Sequence, residues 1–361
     1  MTVDVNTVLT IPSPGVAVLV DRPLPQIIPG YAVVEVAIAP VCIEARIWTK
    51  HQFEYVDDPM HLGHEGVGTI VEVAEGSRFE IGDRVIVFQG DHCGVCYACR
   101  NGLSPTYCAW NGPPDGEALH GIEHHNGSES GGFGMVRYRI GAEPNLVRIP
   151  DELSFRHAAA ANCSLGCTFT GQEVVGIRAG DNVLIGGVGF LGLSHVINAL
   201  YRGANPIVLI RNEYRKELCR QIGAEHFIDP GDDDWLDQLY ELTGGLGADA
   251  AFECSGSSYY QRRLFDGLRI YGRFHFTGHM PDETLELHPL EDVVDKQLML
   301  TGGHDVRAID REGLIRMLRK PEVQRQVDVM VTHEFPMSAA AQALDVSASK
   351  ACGKIYLRPQ E

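Results

Sequence analysis

Short β-branched runs dominate the first third of the chain. Residues 33–38, 68–73 and 84–88 are bounded by Gly, Pro or Asp, the pattern of strands. Residues 74–83 carry turn chemistry between two of them. Over residues 89–132 the periodicity vanishes and Gly, Pro, Cys, His and Asn prevail; so long a loop in a compact domain is functional or pinned by something. From about residue 165 buried-strand runs at 182–185, 206–210, 248–253 and 272–277 alternate with helical patterning, as at 191–201 and 213–222. That alternation predicts an α/β fold with a parallel, doubly wound sheet. The tail, about 304–361, holds a helix around 312–319 and a last strand at 354–357, and no internal repeat or low-complexity tract is seen.

Composition narrows the class. A chain of 361 residues exceeds the roughly 250–300 that one core organises, so two domains are expected. Hydrophobic residues at 44% and charged residues at 22% are globular values that supply apolar mass for both. A net charge of -18, spread along the chain, argues against nucleic acid or anionic lipid as a partner, though a local basic pocket for a phosphate is compatible with it. No apolar stretch nears the roughly 18 residues of a membrane span, and the first residues lack a basic-then-apolar leader, so a cytoplasmic location is expected. In that reducing compartment ten cysteines point to metal ligands or thiols before disulfides.

Four of those cysteines, Cys93, Cys96, Cys99 and Cys108, share the irregular loop. Zinc takes four thiolates tetrahedrally, and one ion would explain how a loop without its own core stays ordered. With every position filled by protein such an ion is structural. Incidental thiols or a disulfide are the alternatives, the second disfavoured by the compartment.

Gly187, Gly189 and Gly192 form a Gly-x-Gly-x-x-Gly turn after a predicted strand and before an apolar helix, the context a dinucleotide fingerprint requires. Gly187 would allow the tight turn, Gly189 the approach of the pyrophosphate and Gly192 close helix–sheet packing, with the helix N-terminus facing the phosphates. The second strand ends in Arg211 and Asn212 rather than in Asp or Glu, and Arg215 and Lys216 follow. A carboxylate there would bond a free ribose hydroxyl and repel a 2′-phosphate; an arginine does the opposite, so NADP is favoured, with NAD as the alternative. Solvated surface charges would leave that choice open.

Cys42 follows an apolar strand, His64 lies between glycines, and Cys163 falls near the expected domain junction. Together they would make a three-ligand zinc site with an open position. Taken singly, Cys42 and Cys163 read as small core residues before they read as ligands.

The order of Gly63-His64-Glu65-Gly66-Val67-Gly68, Gly82-Asp83-Arg84-Val85, the cysteine quartet, Gly131-Gly132-Phe133 and the glycine fingerprint resembles the zinc-containing medium-chain alcohol dehydrogenase family over about residues 30–360. The resemblance implies two zinc ions per chain: a catalytic one on Cys42, His64 and Cys163, with Glu65 nearby, and a structural one on the quartet. It implies a GroES-like catalytic domain over 1–164, a Rossmann NAD(P) domain over 165–303, a C-terminal return over 304–361 and an active site in the cleft. Three departures stand out. The Cys99–Cys108 gap is one residue longer than usual; Glu44 replaces the Ser or Thr that relays the alcohol proton; and Cys167 competes with Cys163 as third ligand.

The expected reaction moves a hydride between the nicotinamide and a small alcohol or carbonyl held on zinc. Trp48, Phe53 and Tyr55 mix aromatic and polar character, compatible with a polyol, a cyclic alcohol or an aromatic alcohol. His120, His124 and His125 lie in a loop that could reach a polar substrate but reads first as a solvated loop, and the lean is to a polyol or sugar-like hydroxyl. A zinc-free quinone or enoyl reductase, or a structural or sensory zinc protein, are the rival readings. A homodimer or homotetramer is expected, with the strand near 297–301 at a sheet edge.

Overall fold

The computed structural model describes residues 5–42, 60–61, 63–90, 92–108, 134–278 and 283–361. Two compact units emerge: residues 1–163 with 306–319 and 331–361, and residues 164–305 with 320–330.

The first unit is β-rich. In chain order its strands are β1 (Asn6–Ser13), β2 (Val16–Arg22), β3 (Tyr31–Val41), β4 (Met60–His61), β5 (Val67–Val73), β6 (Arg84–Val87), β7 (Tyr138–Ala142) and β8 (Leu146–Arg148). β1 pairs antiparallel with β2 and with β4. The long strand β3 is the spine: it pairs antiparallel with β5 and β7, and Ala32, Val34, Ile70, Val85 and Val87 pack as one core cluster.

The second unit is built on six parallel strands, β9 (Asn182–Gly186), β10 (Asn205–Leu209), β11 (His226–Ile228), β12 (Ala248–Glu253), β13 (Leu268–Phe276) and β14 (Met299–Gly302), in the order β11-β10-β9-β12-β13-β14. Helices Phe190–Tyr201, Glu213–Ile222, Trp235–Leu242 and Ser258–Gly267 connect them. Strands covered on both faces read as continuous apolar runs, and Val183, Leu184 and Ile185 of β9 are fully buried. The order reverses at β9, the switch point where such sheets bind ligands beyond the carboxyl ends of their strands. Helix Pro321–Met330 belongs to this unit, with Gln326 Nε2 donating to Ile222 O at 3.0 Å.

The chain then returns to the first unit as β15 (Val331–Pro336) and β16 (Lys354–Arg358), the latter antiparallel to β3. Among the described residues no helix is long and apolar enough to cross a membrane.

Candidate active site

Two strand registers and one turn deliver the donors of a compact cluster. Ile38 of β3 stands opposite Val67 of β5, so the chain leaving β3 at Cys42 runs beside Gly63-His64-Glu65 entering β5. On the other edge Ile355 of β16 stands opposite Val41, which brings Lys354 to the same point. Cys163 arrives on the turn after helix Phe155–Ala159. Asn162 pins that turn, its Nδ2 donating to Val87 O at 2.8 Å and its Oδ1 accepting from Gly66 N at 3.2 Å. Gly63 has φ +88°, and a Cβ there would sit 2.7 Å from Met135 N, so a glycine is what lets the backbone bring His64 inward.

The result is four donors in contact. Cys42 Sγ and Cys163 Sγ are 3.7 Å apart, and one donor atom each from Cys42, His64, Glu65 and Cys163 lies within 4.8 Å of every other. A tetrahedral zinc with arms of about 2.3 Å to sulfur has sulfur–sulfur edges of about 3.8 Å, so the thiol pair is spaced to share one ion. Cys167, the competing third ligand, is turned elsewhere: its Sγ donates to His304 O at 2.6 Å within the second unit.

Two buried cations back the cluster. Lys354 Nζ donates to Glu65 Oε1 at 2.7 Å, with both side chains essentially inaccessible, and His64 Nε2 lies 3.8 Å from the same oxygen. Burial alone would push the Lys354 ammonium down, yet the Glu65 carboxylate, then Cys42 and Cys163, hold it above the usual lysine value. Arg139 Nη1 donates to His64 O at 3.2 Å, and burial lowers this guanidinium to about 10. Glu65 Oε2 is buried without a hydrogen-bond partner among the described residues. The facing Cys163 sulfur and burial push the Cys42 thiol well up, against the pull of Lys354 and His64. Two thiols, an imidazole and a half-satisfied carboxylate form the donor set of a borderline-soft divalent ion, which would take the place of the thiol protons.

The cysteine quartet closes in the same unit. Cys93 and Cys99 sulfurs are 4.0 Å apart, Cys99 and Cys108 sulfurs 3.7 Å, and all four lie within 4.8 Å of one another. Backbone N–H groups of Cys93, Cys96 and Cys99 donate to Cys108, Cys93 and Cys96 sulfurs at 3.3, 3.3 and 3.5 Å. The longer Cys99–Cys108 gap is taken up by a 3-10 turn, Pro105–Tyr107, whose end bond from Cys108 N to Pro105 O at 2.9 Å carries the last sulfur back. No disulfide joins the cysteines.

In the second unit the glycine turn sits between β9 and helix Phe190–Tyr201. Gly187 has φ +87°, and a Cβ there would lie 2.6 Å from Ser255 Cβ; a Cβ on Gly192 would lie 2.6 Å from Gly187 O. Gly189 caps the helix, and the nearest atom to its missing Cβ beyond its chain neighbours is Arg215 Nη1 at 4.0 Å, so no side chain screens the helix N-terminus at this position. Asn212 is engaged as the N-cap of helix Glu213–Ile222, its Oδ1 accepting from Arg215 N at 3.0 Å. Arg211 bonds Asp229 and Tyr259.

Glu44, Trp48, Phe53, Tyr55, His120, His124, His125 and the 131–133 motif lie outside the described residues. Sequence reasoning overlooked Lys354, Arg139 and Asn162. Lys354 did leave a signal, a cation placed directly before the apolar run Ile355-Tyr356-Leu357 of the final strand.

A metal-donor cluster in one unit and a phosphate-ready glycine turn in the other define a metal-dependent, nucleotide-linked oxidoreductase. Residues 28–151 match the alcohol dehydrogenase GroES-like domain family and residues 191–318 the zinc-binding dehydrogenase family. The S-(hydroxymethyl)glutathione dehydrogenase of Synechocystis sp. is 30% identical, over 80% of this chain and 81% of that protein. The sorbitol dehydrogenase of Halalkalibacterium halodurans is 28% identical, over 83% of this chain and 84% of that protein. The crystal structure of an alcohol dehydrogenase from Thermotoga maritima superposes with a TM-score of 0.84 at 23% identity, covering 98% of this chain and 99% of that one. The chain belongs to the zinc-binding medium-chain alcohol dehydrogenase family and is an enzyme of that zinc-dependent, NAD(P)-linked class.

Proposed function

We propose that this enzyme moves a hydride between NADP(H) and an alcohol or its carbonyl, with Cys42, His64 and Cys163 holding a catalytic zinc and Cys93, Cys96, Cys99 and Cys108 a structural one. The observation that carries this is the meeting of Cys42, His64, Glu65 and Cys163 donor atoms within 4.8 Å. When bound, zinc supplies Lewis acidity toward a substrate oxygen and the nicotinamide supplies the hydride partner. The chain's own residues prepare the site. Lys354 fixes Glu65 at 2.7 Å, and Arg139 anchors the His64 backbone at 3.2 Å, so donor geometry is set before metal arrives. Glu44, two residues past the first ligand, is the residue we assign to outward proton transfer. A zinc-free reductase would have no use for this ligand set.

In this reading residues 1–164 and 304–361, apart from helix Pro321–Met330, which joins the second unit, are the catalytic domain, and residues 165–303 bind the cofactor through Gly187, Gly189, Gly192, Arg211, Asn212 and Arg215. NADP is favoured over NAD because β10 leads into an arginine where a ribose-binding carboxylate would stand. Relatives named for sorbitol, L-threonine and D-arabitol phosphate support a substrate with neighbouring polar groups, a polyol or sugar-like alcohol. A homodimer or homotetramer is favoured because β14 ends the sheet order with Met299 and Leu300 exposed.

Metal analysis combined with an alcohol panel, run with NADP and NAD, tests the assignment. Two zinc ions per chain and NADP-linked turnover that disappears in Cys42→Ser are expected. One zinc per chain, or turnover indifferent to Cys42→Ser, would sink it. Glu44→Gln with unchanged turnover and pH profile would remove Glu44 from the mechanism.

A further inference from the structure

Arg211 leaves β10 with its side chain 55% exposed, yet its guanidinium is fixed on three sides. Nε donates to Asp229 Oδ1 at 3.0 Å and Nη2 donates to Tyr259 Oη at 2.8 Å, with the group 5.4 Å from the Tyr259 ring centre. The third side is Gly231. A Cβ there would lie 1.9 Å from Arg211 Nη2 and 2.7 Å from its Cζ, so the guanidinium fills the space of the missing side chain. Gly231 is not in the left-handed region, so the absence of a side chain serves the arginine rather than the backbone.

The holders are themselves held. Asp229 Oδ1 also accepts from Gly231 N at 2.7 Å, and Tyr259 Oη donates to Pro230 O at 2.7 Å. Arg263 packs its guanidinium 3.8 Å from the other ring contact, the Tyr259 centroid, and donates to Pro230 O. Arg211 follows β10, Asp229 to Gly231 follow β11, and Tyr259 lies in the helix after β12. All therefore stand beyond carboxyl ends of the parallel strands, where this sheet type takes its ligands. Nη1 alone has no partner among the described residues.

We propose that Asp229, Gly231 and Tyr259 are positioning residues that hold the Arg211 guanidinium as a preformed seat for the 2′-phosphate of NADP(H), its Nη1 edge left for phosphate oxygens; this rests on the NADP reading above. A surface arginine ordinarily samples many rotamers, and fixing it beforehand removes an ordering cost from binding. Asp229 cancels much of the positive field at the seat. Discrimination then depends on the fork geometry of charge-assisted bonds more than on net charge.

That balance gives a test with opposite signs. If charge alone mattered, Asp229→Ala would tighten a phosphate dianion; if orientation matters, it loosens it. The full-length, zinc-loaded protein is titrated with NADPH and NADH by nicotinamide fluorescence, and with 2′,5′-ADP and 5′-AMP by calorimetry. Gly231→Ala displaces only the tip of a flexible side chain at an ordinary φ, so this variant keeps the fold. Wild type is expected to bind NADPH about tenfold or more tighter than NADH, and Arg211→Ala to lose that preference. Gly231→Ala, Asp229→Ala and Tyr259→Phe are each expected to weaken NADPH and 2′,5′-ADP by about three- to tenfold while leaving NADH and 5′-AMP within about twofold. A preserved NADPH to NADH ratio in Gly231→Ala and Asp229→Ala, alongside its loss in Arg211→Ala, overturns the positioning role and leaves the NADP reading intact. Equal binding of the two cofactors by wild type overturns both.

Discussion

Two buried imidazoles make the second unit sensitive to acid, and His275 on β13 allows the effect to be worked out. Only 2% of His275 is exposed. Thr301 Oγ1 donates to Phe274 O at 3.0 Å, so it accepts from His275 Nδ1 at 2.8 Å. That network assigns the neutral Nδ1–H tautomer and leaves Nε2 buried with no hydrogen-bond partner. Burial, only partly offset by the Gly303 backbone, which favours the charged form, pushes the imidazole from 6.5 down to about 4. Below about 6.5 the unfolded chain binds this proton while the folded chain does not, so stability falls as pH drops and levels off once the folded imidazole titrates near 4. Each pH unit in that window costs about 1.4 kcal/mol, or about 3 kcal/mol across it. His195, fully buried, is pushed well below 6.5 by burial and then by His275 and Arg202, which adds to the same trend.

The perturbation is His275→Gln, in a background where Trp48 and Trp110 are Phe so that buried Trp235 alone reports unfolding of the second unit. Urea denaturation is compared between pH 7.5 and pH 5. At pH 7.5 the variant is expected to be less stable by about 1–2 kcal/mol. At pH 5 the balance should shift by about 2 kcal/mol toward the variant, so that the gap vanishes or reverses, because the variant lacks the protonation penalty. Carboxylates and thiolates titrate alike in both proteins and cancel. Parallel stability curves, with a constant offset at both pH values, would refute the reasoning.

Lys354→Met should cost about 3–5 kcal/mol, since it leaves the Glu65 carboxylate buried without its partner, whereas the Glu65→Gln/Lys354→Met double variant should recover much of that loss in thermal unfolding of metal-free protein. Cys99→Ser should halve a zinc content of about two per chain and open residues 92–108 to protease, without changing NADPH binding; full zinc retention would remove Cys99 from the ligand set. In Gly192→Ala, a Cβ 2.6 Å from Gly187 O forces the turn apart, costing about 1–3 kcal/mol and weakening NADPH and NADH equally, as titration would reveal. Placing charge on the β14 edge with Met299→Lys should shift sedimentation toward smaller species; an unchanged oligomer would locate the interface elsewhere.

The sequence by itself determined whatever depends on neighbours along the chain. Strands β9, β10 and β12 declare themselves because burial on both faces demands unbroken apolar runs, and the glycine turn because tight approach demands missing side chains at fixed intervals. The cysteine quartet, within sixteen residues of chain by its numbering, is legible from spacing. Helix Ser164–Val175 escaped notice because it is buried almost all round and presents no polar stripe to set a period. Tertiary structure alone decided what meets what. Cys42, His64 and Lys354 come together through the β3–β5 and β16–β3 registers, and Cys163 rather than Cys167 joins them because its turn is pinned by Asn162. The room that Gly231 leaves for Arg211 likewise comes from packing of separate strand ends. Periodicity is a local property of a chain; coordination, ion pairing and clearance are properties of points in space, and only the fold brings those points together.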